Sequence, residues 1–82
     1  MSEFFVSLAS IEDVRQFVNA ATCCPCEVDV LSGRYVVDGK SIMGLFSLDL
    51  SQPVKVEVHG SEEEQEAFRR SVDAFTVVPP TA

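Results

Sequence analysis

Val54-Lys55-Val56-Glu57-Val58-His59-Gly60-Ser61-Glu62-Glu63-Glu64 is the stretch from which the architecture reads outward. Valines alternate with polar residues from Val54 to His59, the period of a strand with one face buried, and Pro53 precedes the run. Gly60 breaks it. Ser61 and Glu64 then stand at capping-box spacing, with Glu62 and Glu63 suited to the positive end of a helix dipole. Ala67, Phe68, Val72 and Phe75 give that last helix its apolar face, and Arg69 and Arg70 lie towards its C-terminal end. The tail from Thr76, with Pro79-Pro80, is expected to be loosely held.

Upstream, Phe4 to Leu8 is aromatic and β-rich, and predicts a first strand. Ser10 is an N-cap followed by Glu12 and Asp13; Ile11, Val14, Phe17, Val18 and Ala21 continue at helical spacing to about Ala21. Glu27 to Val30 alternates, with Cys26, Val28 and Val30 on one face. Ser32-Gly33 turns the chain, and Arg34 to Val37 returns as the second arm of a hairpin. After Asp38-Gly39, the run Ser41 to Leu48 is too short for periodicity to type; Ser41 as a cap makes it a short helix. The order is β-α-β-β-α-β-α. Four strands with one apolar face each, and three helices to cover it, predict an α+β open-faced two-layer sandwich. The chain reads as one domain over 1–82, with an ordered core over 3–75.

Size and charge exclude several functions. Eighty-two residues bury only about 60–65% of the unfolded surface, room for one thin core. A net charge of −7 opposes nucleic acid and anionic membranes, so neither is an expected partner. No apolar run approaches the ~20 residues of a membrane span, and the first residues lack a signal-peptide pattern, which predicts a cytoplasmic protein. No paired-carboxylate, Ser/His/Asp or glycine-rich phosphate-loop arrangement is present, so neither an enzyme nor a cofactor is expected.

Gly39-Lys40-Ser41-Ile42-Met43-Gly44-Leu45-Phe46-Ser47-Leu48 resembles the region around the second helix of HPr, the small phosphocarrier of the sugar phosphotransferase system. The element order agrees, and the resemblance extends over roughly residues 3–75. It implies a four-stranded antiparallel sheet in the order 1-4-2-3, with the helices on one face. In that order Lys55 would neighbour Glu27 or Asp29 across the uncovered face. The family carries phosphate, received from phosphoenolpyruvate through enzyme I, on a histidine opening the first helix. Here Leu8-Ala9-Ser10-Ile11-Glu12-Asp13-Val14-Arg15 occupies that region without His or Pro, and Glu12 and Asp13 would repel a phosphoryl group. The expectation is a divergent member without the phosphocarrier histidine.

Each candidate site has a plainer structural reading beside it. The resemblance makes Ser41 a candidate for phosphorylation by an ATP-dependent kinase, as in HPr proteins of low-GC Gram-positive bacteria; Lys40 is adjacent, and Ser41 is equally a helix cap. Ile42 and Leu45 share one helix face at i, i+3, whereas Met43, Phe46 and Leu50 fall on another. Ile42, Met43 and Phe46 are therefore candidates for docking a protein partner, of the phosphotransferase system or of transcriptional regulation, unless neighbouring loops and the first helix cover them. Cys23, Cys24 and Cys26 are the only candidates for a metal or redox role; a buried, inert Cys26 is the alternative. His59, the only histidine, is a surface residue on the plainer reading; a divergent phosphocarrier would use either it or an acidic residue as acceptor.

Overall fold

The computed structural model describes residues 2–77. Its elements are β1 (Ser2–Val6), α1 (Ile11–Cys23), β2 (Glu27–Ser32), β3 (Tyr35–Asp38), α2 (Ile42–Phe46), β4 (Val54–His59), α3 (Glu62–Ser71), a 3-10 turn (Asp73–Phe75) and β5 (Thr76–Val77). The sheet is antiparallel in the order β3-β2-β4-β1-β5. The fold is thus the expected α+β open-faced sandwich, with one strand more than the four expected. Thr76 and Val77 pair with Val6 and Phe5, so the start of the tail is tied to an edge. Its remainder, 78–82, lies outside the described residues.

Alternation builds the core. Phe4 and Val6, Val28 and Val30, and Val54, Val56 and Val58 turn one set of side chains under the helices, and all are buried. From above, α1 adds Val14, Phe17 and Ala21, α2 adds Leu45, and α3 adds Phe68, with Val72 just past its end. Three aromatic rings form the centre: Phe17 meets Phe68 edge-on at 5.7 Å between centroids, and Phe68 lies 6.3 Å from Phe4.

Local signals set the ends of the elements. Ser10 Oγ accepts from the Asp13 N–H, and Ser61 and Glu64 make both bonds of the capping box. Gly33 has φ of +60°, the left-handed conformation of the Gly33-Arg34 turn between Ser32 and Tyr35. Some details differ from expectation. Helix α1 runs two residues further, to Cys23, and α3 stops at Ser71, leaving Phe75 in the 3-10 turn. Ile11 is 69% exposed despite its place in the helical pattern, because it sits in the opening turn of α1, at the rim of the core.

The uncovered face carries a chain of charges in a different register from the one expected. Lys55 stands opposite Phe5 and Leu31, not beside Glu27 or Asp29. Its ammonium reaches Glu3 at 3.2 Å and Glu57 at 3.6 Å, and the hydrogen bond to Glu3 is the main cause that raises its pKa. Asp29 faces Glu57 directly, and Glu27 faces His59.

Candidate docking surface around the second helix

Helix α2 has five residues, too few for intrinsic stability, and is held by its cap and one buried anchor. Ser41 Oγ accepts from the Gly44 N–H at 3.1 Å, and the Ser47 hydroxyl donates to the Gly44 carbonyl at 2.6 Å. Leu45 is fully buried and Ile42 half-buried on the inner face. Met43 and Phe46, the other i, i+3 pair, point outwards with 75% and 44% of their surface exposed. Neighbouring loops do not cover them. Leu50, expected with them, packs against the core instead.

Phe46 and Ile11 line a shared hollow of about 310 Å³, with Leu8, Val14 and Leu50 in its walls. The structure thereby joins Phe46 of α2 to the opening turn of α1. Ile11 belongs to this surface and was hidden by its own pattern: it sits on the helical stripe that predicts burial. A clue lay in its place as the first residue after the cap, beyond the reach of the sheet.

Ser41 is half-buried as the cap of α2, two residues before Met43. Lys40 does not attend it. The Lys40 ammonium donates to the Cys24 carbonyl at 3.0 Å, at the C-terminal end of α1, and its backbone N–H donates to Asp38 Oδ1.

The cysteines do not gather. Cys24 and Cys26 bring their sulfurs to 3.1 Å, while Cys23 is exposed, and among the described residues the three form no common ligand set. Burial, then the contact with Cys24, pushes the Cys26 thiol up from 9.0 to about 11, so it is protonated at neutral pH and a poor nucleophile. A folded-state pKa above the unfolded one means its stabilising contribution is complete below about pH 9 and is lost as pH rises through about 11. Urea melts between pH 8 and 11 are therefore expected to show stability falling in that window, with a shallower fall in Cys26→Ala. Equal slopes would contradict the assignment.

His59 lies at the far end of the sheet from the opening of α1. Val6, leading into α1, pairs with Val54, so His59 is five residues further along β4, roughly 16 Å away. Its Nε2 is 2.8 Å from Asp29 Oδ2 and 3.9 Å from Glu57 Oε1. That meeting of three side chains from two strands was invisible in the sequence, where Asp29 and His59 are 30 residues apart.

An antiparallel open-faced sandwich with a short capped helix beside the opening of α1 is the architecture of the small HPr domains. The family model described as the PTS HPr component phosphorylation site matches residues 13–76, most of the chain, and the protein belongs to that family. Among solved structures, HPr-C-His from Thermoanaerobacter tengcongensis is 26% identical, with a TM-score of 0.73 over 90% of this chain and 93% of that one. The phosphocarrier protein HPr from Bacillus anthracis strain Ames shares the fold at 19% identity, with a TM-score of 0.69 over 90% of this chain and 95% of its own. No curated protein is a significant match. No helix of the described residues is long and apolar enough to cross a membrane.

Proposed function

We propose that this HPr-family chain works by binding proteins rather than by carrying phosphate on a histidine, and that phosphorylation of Ser41 switches its docking surface. The observation that carries the reading is the exposed apolar group of Met43, Phe46 and Ile11 around α2 and the opening of α1. A dianionic phosphate on Ser41 would stand beside Met43 and turn the edge of that patch from apolar to charged. Partners among cytoplasmic phosphotransferase-system or regulatory proteins fit a chain of this family, and no catalytic step by the chain itself is required.

Two observations weigh against histidine chemistry. The opening turn of α1 offers Ser10, Ile11, Glu12 and Asp13. The only imidazole, His59, faces two carboxylates that would repel a phosphoryl group.

Intact mass at near-neutral pH tests the reading, after incubation with phosphoenolpyruvate plus enzyme I or with ATP plus the HPr serine kinase. One phosphate from ATP, absent in Ser41→Ala, is the expected result. Phosphate from phosphoenolpyruvate that disappears in His59→Ala would establish the divergent carrier instead. The docking surface is tested by Met43→Asp, which is expected to weaken binding to enzyme I of the same organism about ten-fold while leaving the thermal melt unchanged. Unchanged affinity would remove α2 from the interface.

A further inference from the structure

We propose that Asp29, Glu57 and His59 form a binding site for a divalent first-row transition-metal ion, with zinc as its simplest occupant, on the uncovered face of the sheet. The three offer one imidazole nitrogen and two carboxylate oxygens, all within 4.8 Å of one another. This mixed set suits zinc-class ions; magnesium and calcium prefer shells of oxygen alone.

The spacing is close to what an ion needs. Ligand bonds of about 2.0–2.2 Å in a tetrahedron place neighbouring ligand atoms roughly 3.3–3.6 Å apart. Nε2 of His59 is 2.8 Å from Asp29 Oδ2 and 3.9 Å from Glu57 Oε1, values on either side of that range, so small side-chain rotations suffice. The three donors leave a fourth position for water or a partner's side chain.

The backbone fixes the set. Asp29 and Glu57 are direct partners in the β2–β4 pairing, the interior of the sheet, and His59 follows Glu57 on the same face of β4. Two carboxylates directly opposite repel each other, and an ion between them would remove that repulsion. Lys55 holds Glu57 by Oε2, leaving Oε1 turned towards His59 and available to the metal. An ion bound at Nε2 takes the place of the contact between His59 and Asp29, and the imidazole enters neutral with its proton on Nδ1.

Titration of the reduced full chain with zinc by calorimetry, and with cobalt by absorption, tests the site. One equivalent is expected to bind. Loss of even an outer-shell partner costs about 10–100-fold in metal affinity, so His59→Ala and Asp29→Asn are each expected to weaken binding at least ten-fold. Circular dichroism of both variants should match the parent, since these side chains lie outside the core. The cobalt spectrum should lack a thiolate charge-transfer band, which separates this site from the cysteines. Binding undiminished in either variant, a thiolate band, or no saturable binding would each overturn the proposal.

Discussion

Phe17→Ala is expected to destabilise the chain by about 3–5 kcal/mol, the range for removing a fully buried phenylalanine. Phe17 has no exposed surface and sits where α1, α3 and the sheet meet, edge-on to Phe68. Its loss opens a cavity bounded by two helices and a sheet, which cannot close together without sliding past one another. A domain of this size has about 5–15 kcal/mol in total, so at the lower end the variant would keep only about 0–2 kcal/mol and be up to about half unfolded. Urea denaturation of the parent, Phe17→Leu and Phe17→Ala gives the measurement; the leucine variant should recover a large part of the loss. Phe46→Ala provides the contrast, since Phe46 is already 44% exposed and should cost about 1 kcal/mol. If Phe17→Ala cost no more than Phe46→Ala, the aromatic centre would not be what holds the helices to the sheet.

Gly60→Ala is expected to cost about 1–3 kcal/mol, although it adds a single methyl group. A Cβ at this position would lie 2.6 Å from Cys26 Sγ, 2.9 Å from Cys26 Cβ and 2.8 Å from Glu64 Oε1. None of the three can retreat freely. The Cys26 sulfur already touches Cys24 at 3.1 Å, and Glu64 Oε1 accepts from the Ser61 N–H to complete the capping box. The substitution therefore strains the junction between β2 and β4 and loosens the start of α3 together. A double-mutant cycle with Cys26→Ala locates the cause: removing the sulfur should relieve part of the penalty, leaving the Cβ–Cβ contact. Additive effects, or a neutral Gly60→Ala, would place the strain elsewhere.

In this chain these two residues maintain the frame, and the residues proposed for docking lie outside it. Phe17 and Gly60 decide whether the sandwich closes. Met43, Phe46 and Ile11 take little part in that closure, so they can change with a partner while the fold persists. Both the proposed docking surface and the charge chain on the uncovered face can be altered with the core left intact, so binding and stability can be measured separately.

Strand alternation at Val54–His59, the Ser61–Glu64 capping box and the stripe Val14, Phe17, Ala21 depend on neighbours a few residues away, so sequence by itself determined those elements and the face each would bury. It also determined the family, through the run from Gly39 to Leu48, and the division of α2 into an inner pair, Ile42 and Leu45, and an outer pair, Met43 and Phe46. Contacts between distant segments lay beyond it. Thr76 and Val77 look like tail until β1 offers an unpaired edge, Ile11 looks like core until α1 is seen to start at its rim, and Lys40 looks free until the Cys24 carbonyl comes within reach. The same is true of Lys55 pairing with Glu3, and of Asp29 and Glu57 meeting at His59. Those outcomes follow from strand register, and a shift of one residue would exchange every facing partner. Local chemistry wrote the elements; which side chains face one another was decided only when the sheet closed.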